Sequence, residues 1–349
     1  MIEGYNFENL ILDKDKNLVL QKGIMNRVSA DDAFFETLFT TICGSDLRIL
    51  AHGDSRIKEP RVLGHEVVAR VLSPGSRKDF SSGDFVAIGA DIPCGNCLYC
   101  ARRQENLCRE HLALGYQIDG GLSSVIQIPG MYLQNAPIVR ISPKNYPEAY
   151  SLAEPAGCVI HGIEFSSVNQ EHRMLIVGGG PIGIMIGKVS TDLVGMPAKN
   201  LAFIEPFEYR RNFIEKMGIK AYADLSKLSH LKENLFDRVF TATSNPKAHE
   251  EILPLLNHGG RVNFFGGVPK DSSKLIVDAN LLHYSEISLE GSHGSCPRHH
   301  KKATELIARD EAFWANLITL KISLNELEAT IPRIRQGLEM KVAVDFHRA

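Results

Sequence analysis

No stretch of this chain reaches the roughly 18 uninterrupted apolar residues that a membrane-spanning helix requires, so no membrane partner is expected. Charge of one sign is not in excess either. The formal net charge is -2, which offers no footing for nucleic acid or for an anionic membrane. Internal repeats, low-complexity tracts and flexible linkers are also missing. The segment Met1 to Lys22 mixes Glu3, Glu8, Asp13, Lys14, Asp15 and Lys16 among its apolar positions. It therefore lacks the basic start and clean apolar run of a secretory signal, and a cytoplasmic enzyme is the expectation.

What is present reads as an ordinary globular chain, 44% hydrophobic and 23% charged over 349 residues. That length exceeds what one hydrophobic core usually serves, and predicts two domains. The N-terminal part is β-rich: Val67–Leu72 and Phe85–Ile88 are strand-like runs separated by turns at Pro74-Gly75 and Ser81-Ser82-Gly83-Asp84. From about Leu152 the texture changes. A helical stretch follows Glu154-Pro155, and then the apolar runs Met174–Val177, Leu201–Ile204, Asp237–Phe240 and Arg261–Phe265 alternate with helical segments. Continuous apolar strands divided by helices predict a parallel sheet covered on both faces. A helix opened by Pro297 and a last strand, Lys341–Phe346, close the chain.

Gly178, Gly180 and Gly183 form G-x-G-x-x-G around Pro181 and Ile182. The pattern follows an apolar strand, opens a helical run from Ile182 to Ser190 and precedes a second strand ending in Glu205. In that setting the glycines allow a tight turn and close approach to a pyrophosphate, which the helix N-terminus faces. Glu205 stands where an acid accepts hydrogen bonds from the adenine ribose hydroxyls and disfavours a 2′-phosphate. NAD is the expected cofactor, with Arg210 and Arg211 the nearby cations that bear on the choice.

Seven cysteines suggest metal rather than disulfides, because four of them crowd together at Cys94, Cys97, Cys100 and Cys108. Four thiolates so spaced close a tetrahedral shell, the arrangement of structural zinc. An iron–sulfur cluster is the competing cysteine chemistry, but nothing else in the chain calls for one-electron transfer. A second, open zinc site is expected from Cys43, His65, Glu66 and Glu154. A thiolate, an imidazole and a carboxylate leave room for water or substrate, which suits Lewis acid work. Neighbours on a regular strand point to opposite faces, so His65 and Glu66 cannot both reach one metal without a local distortion. The carboxylate ligand is therefore left open between Glu66 and Glu154. Asp46 is a candidate acceptor for the other ring nitrogen of His65.

In this order, Cys43-Gly44-Ser45-Asp46, Gly64-His65-Glu66, the four-cysteine lobe, Ala153-Glu154-Pro155 and the glycine loop resemble the medium-chain zinc-dependent alcohol and polyol dehydrogenases. Glu154, where classical alcohol dehydrogenases carry cysteine, is similar to the sorbitol dehydrogenase branch. So are Asn263-Phe264-Phe265-Gly266-Gly267 and Gly291-Ser292-His293-Gly294-Ser295. The resemblance implies an α/β architecture: a GroES-like β-barrel catalytic domain from residues 1–153 and 292–349, and a Rossmann doubly wound parallel-sheet domain from 154–291. It also implies a homodimer or homotetramer.

The implied reaction passes a hydride from a secondary alcohol of a polyol, cyclitol or aminocyclitol to NAD and leaves a ketone. Zinc acts on the substrate hydroxyl, Ser45 takes or relays the proton, and Glu66 and Glu154 serve the metal. Arg48 stands where family members often carry a proton-relaying histidine. An arginine stays protonated and cannot accept the proton; His52 is the nearest substitute. A hexitol-phosphate dehydrogenase, with Arg298-His299-His300-Lys301-Lys302 at a helix start holding the phosphate, is one alternative. A threonine-type amino alcohol dehydrogenase is another, and a non-catalytic nucleotide-binding protein is the alternative from a different class.

Overall fold

The β-branched runs of the N-terminal part form strands, and the end of the chain completes their sheet. A computed structural model describes residues 4–26, 29–228 and 235–348. Glu66–Ser73 pairs antiparallel with Ala33–Thr41 and with Phe85–Ile88. On the other edge of Ala33–Thr41 lies Lys341–Asp345, joined through Ala343 opposite Thr41. Ile318–Ile322 extends the sheet beyond it and Ile138–Ile141 closes the opposite end, while Val125–Ile128 pairs with Ala33–Thr41. A smaller sheet of three strands holds Leu18–Asn26, Gly4–Leu12 and Arg61–Val62.

Register here matters for function. Val67, Ala69 and Val71 enter one core with Phe35, Val86 and Ile126. A one-residue slip would turn that set to the other face, at a cost of roughly 1.5–3 kcal/mol for each valine unburied. The same register sets Thr41 opposite Glu66, so packing of the core positions a carboxylate.

The second unit is a sheet of six parallel strands in the order Lys220–Tyr222, Leu201–Ile204, Met174–Val177, Phe236–Thr241, Leu256–Asn263, Ser288–Glu290. Every residue of Met174–Val177 is buried, as a strand with neighbours on both sides and helices on both faces requires. Chain order reverses beside this strand, and the crevice at its carboxyl end is where such sheets bind ligands.

One expected strand differs. Arg261–Phe265 is in fact Leu256–Asn263, with Phe264 and Phe265 beyond its end. Its first half carries Gly259, with φ of +73°, and the register shifts against Phe236–Thr241 at that point. This glycine irregularity masks the strand in the sequence.

By contacts, the chain divides into Met1–Gly157 with Gly294–Ala349, and Cys158–His293; the sequence placed the changeovers at 153/154 and 291/292.

Candidate active site and zinc centres

The helix Gly44–His52 begins at Cys43, whose backbone N–H donates to Asp46 Oδ2 at 2.9 Å. This N-terminal cap fixes Cys43 and Asp46 relative to one another. Asp46 Oδ1 then faces His65 Nδ1 at 3.5 Å. At that distance the contact is long for a hydrogen bond, and neither buried atom has a closer partner. Ser45 Oγ lies 3.4 Å from His65 Nε2.

Ligand atoms of Cys43, His65 and Glu66 all lie within 4.8 Å of one another. Strand alternation does not turn His65 and Glu66 apart, because His65 precedes the strand that starts at Glu66. Gly64, with φ of +92°, turns the backbone immediately before it. A side chain is disfavoured at that φ, which makes glycine the fitting residue.

Lys341 went unnoticed in the sequence. Its ammonium donates to both carboxylate oxygens of Glu66, at 2.6 and 2.5 Å, and to Ile42 O at 3.2 Å. Thr41 Oγ1 also donates to Glu66. Both charged partners are buried. Burial opposes the lysine's charge, yet Glu66 and Cys43, with Glu154 behind them, hold its pKa above the ordinary value. Burial likewise opposes an imidazolium at His65, but Asp46 and Cys43 raise its pKa well above the ordinary value. The pocket's field thus favours a cation. A thiolate, an imidazole and a carboxylate in such a field, beside orphaned buried polar atoms, fit a zinc ion.

Glu154 is buried in the first turn of the helix Ala153–Phe165. It acts on Lys341 electrostatically but is not gathered with Cys43, His65 and Glu66. Arg48 and His52 are exposed; Arg48 helps Arg56, whose hydrogen bonds are the main cause, to lower the Asp54 pKa to about 2.

The four-cysteine lobe can be tested against geometry. Zn–S bonds of about 2.3 Å in a tetrahedron place sulfurs ~3.8 Å apart. The Sγ atoms of Cys97 and Cys100, Cys97 and Cys108, and Cys94 and Cys100 stand 3.5, 3.8 and 3.9 Å apart. All four thiols are free of disulfides. Gly95, with φ of +79°, makes the turn between the first two. Removing one sulfur opens the shell, so Cys100→Ala is expected to cost one zinc per chain. It should also lower the melting temperature by about 5 °C or more, read by calorimetry and metal analysis.

In the parallel-sheet unit, Gly178 has φ of +105° and a β-carbon there would collide with Ala242 of the neighbouring strand's end. A β-carbon at Gly183 would strike Gly178 O, whereas one at Gly180 would meet only Arg210 Nη1, at 3.8 Å. Two glycines thus serve close packing, and Gly180 leaves the loop open above the helix Pro181–Asp192. Glu205 is buried. Its oxygens accept from Gly179 N at 2.7 Å and Phe207 N at 2.8 Å, so its carboxylate ties the loop to the second strand's end. Arg210 Nη1 lies 3.8 Å from the same carboxylate. Arg211 Nη1 donates to the backbone oxygens of Glu205 and Pro206.

The basic stretch at the last long helix is not a five-cation face. His299 and His300 are fully buried; His299 Nδ1 accepts from Cys296 N. Burial pushes the His300 pKa down to about 4. Arg298, Lys301 and Lys302 are exposed, and Arg298 is paired with Glu105 at 2.9 Å.

Residues 29–138 match the model of the alcohol dehydrogenase GroES-like domain. An L-threonine 3-dehydrogenase of Enterobacter sp. (strain 638) is 30% identical over 279 residues, 76% of this chain and 78% of that protein. The chain belongs to the medium-chain zinc-dependent alcohol and polyol dehydrogenases. Its fold agrees: an alcohol dehydrogenase from Thermotoga maritima superposes with a TM-score of 0.88 at 20% identity, covering 98% of this chain and 100% of that one. The L-idonate 5-dehydrogenase of Escherichia coli gives 0.85 at 21% identity, covering 99% of each. The chain is thus a zinc-dependent, nicotinamide-linked dehydrogenase with a GroES-like and a Rossmann unit. Among the described residues of this dehydrogenase, no helix is long and apolar enough to cross a membrane.

Proposed function

We propose that this dehydrogenase oxidises a secondary alcohol of a polyol, cyclitol or aminocyclitol to a ketone, with NAD as the acceptor. The observation that carries the reading is the convergence of Cys43, His65 and Glu66 beside Ser45, an open donor set rather than a closed one. In this reading Cys43, His65 and Glu66 hold the reactive zinc, Glu154 adds negative charge behind them, and Cys94, Cys97, Cys100 and Cys108 hold the second zinc. The chemistry supplied by the two bound groups is Lewis acidity from zinc and hydride acceptance from NAD. Ser45 Oγ, part-exposed next to His65, relays the proton: it accepts the alcohol's hydrogen as it gives its own to solvent. Arg48 cannot carry it onward. Lys341 holds the Glu66 carboxylate in place through hydrogen bonds to both of its oxygens. The loop Gly178, Gly180, Pro181, Ile182 and Gly183 receives the pyrophosphate at a helix N-terminus.

A second reading, an amino alcohol of the L-threonine kind, is favoured by the Enterobacter relative. Both are tested by following NADH formation with sorbitol, myo-inositol, an aminocyclitol and L-threonine. Turnover of L-threonine alone would replace the first reading with the second, and silence with all four would sink both. Replacing Glu66 or Glu154 with glutamine and counting zinc separates the ligand from its neighbour.

Preference for NAD is supported by the Glu205 carboxylate at the loop and by the engagement of Arg211 with backbone oxygens. Glu205→Ser is expected to lower the ratio of kcat/KM for NAD over NADP by about tenfold or more. An unchanged ratio would remove Glu205 from cofactor choice.

A cytoplasmic homo-oligomer completes the reading. Leu289 is exposed on the edge strand Ser288–Glu290 of the parallel sheet, and Ile276 and Tyr284 of the same unit are exposed as well. Unpaired edges and apolar surface of this kind favour self-association. Light scattering on the purified protein would show a monomer if this is wrong.

A further inference from the structure

Tyr116 belongs to none of the motifs above, yet it is buried beside His65, the two rings tilted at 46° with their centroids 5.8 Å apart. The guanidinium of Arg56 stacks on the same tyrosine, 4.3 Å from its centroid. Asp54 grips Arg56 in turn with both oxygens: Nε donates to Oδ1 at 2.9 Å and Nη2 to Oδ2 at 2.8 Å. A fork-on-fork pair of this kind fixes the plane of the guanidinium as well as its place.

The loop carrying Tyr116 is pressed onto the residue before His65. A β-carbon at Gly115 would sit 2.9 Å from Gly64 O, and one at Gly120 would collide with the same oxygen. Gly121 N donates to Gly64 O at 2.9 Å, and Leu122 N to Leu63 O at 2.9 Å. Backbone and side chain therefore bear on His65 together.

A zinc-binding histidine is usually oriented by a hydrogen bond at its other ring nitrogen. Here Asp46 stands 3.5 Å from Nδ1, beyond the usual hydrogen-bond length, so packing against the ring shares the task of holding it. A tyrosine clamped by a cation on its own face supplies a rigid wall.

We propose that Tyr116, braced by Arg56 and Asp54, is a positioning residue that holds the His65 ring in its zinc-binding orientation. The inference rests on the reading in which Cys43 and His65 hold zinc. What it adds is a residue 51 positions further along the chain that acts on the ligand rather than on the metal.

The test follows zinc transfer from the purified full-length holoenzyme to a chromogenic chelator. Two phases are expected, and the one absent from Cys43→Ala belongs to the reactive site. Tyr116→Leu is expected to speed that phase about tenfold, the worth of one such contact. The other phase should be unchanged, and Tyr116→Phe, which keeps the ring, should restore the native rate. Arg56→Gln, which removes the brace and keeps the ring, should speed the same phase by a smaller factor and serves if Tyr116→Leu does not fold. Native release from Tyr116→Leu overturns the proposal. So does faster release of both zincs with a lower melting temperature, which marks a merely structural role. A native protein with one zinc that survives Cys43→Ala overturns the zinc reading itself, and this inference with it.

Discussion

Cys43→Ala is expected to leave the dehydrogenase folded with one zinc instead of two and to lower kcat/KM by about a thousandfold or more. The magnitude follows from what a metal does to an alcohol oxygen: charge stabilisation worth several kcal/mol, of which about 4 kcal/mol is a thousandfold in rate. Cys43 is half-buried at the start of a helix, and alanine leaves no strained backbone behind. Its neighbours Asp46 and His65 keep each other's charge in balance without the sulfur. Little stability should be lost, in contrast to Cys100→Ala. Metal analysis with steady-state kinetics checks the expectation. Retention of both zincs, or of native turnover, would falsify the assignment of Cys43 to the reactive metal.

The second large effect belongs to Lys341. In the zinc-stripped protein, Lys341→Met removes the ammonium and leaves the Glu66 carboxylate buried against Thr41 with no countercharge. Breaking a buried pair from one side costs about 3–5 kcal/mol, and denaturant unfolding should show it. Lys341→Met combined with Glu66→Gln should recover most of that loss, because no bare charge remains. Equal stability of the single and double variants would show that the pair is not coupled.

The pH dependence has a definite sign. The folded pKa of Lys341 lies above its unfolded value, since Glu66 and Cys43 outweigh burial. The stabilisation is therefore complete below the unfolded value, about 10.4. It is lost only as pH rises through the higher folded value. Native protein should show no loss from this pair across the neutral range, and a loss in that range would point to another group.

Much of the molecule could be read from local spacing. The four-cysteine lobe and the glycine loop are each contained in a short segment, where residue type and interval already dictate a turn, a shell or a helix start. The strands Phe85–Ile88, Met174–Val177 and Leu201–Ile204 fall where their apolar runs placed them, because a buried strand needs little beyond continuous apolar character. Leu256–Asn263 was misjudged at its ends because Gly259 breaks the pattern that marks a strand. The basic run at Arg298 was legible as charge but not as orientation. Only packing turns His299 and His300 inward, and burial then keeps His300 uncharged at neutral pH.

The sequence by itself determined the chemistry on offer: thiolates, an imidazole, two carboxylates, a pyrophosphate loop and an acid after the second strand. These are local properties, set by side-chain type and by spacing along a few turns of chain. Tertiary structure alone decided how they are held. Lys341 meets Glu66 across 275 residues because the last strand pairs with Ala33–Thr41, and Tyr116 meets His65 because three glycines let one loop lie on another. No periodicity announces such meetings. They arise from sheet register and close backbone packing, which exist only once the chain has closed on itself.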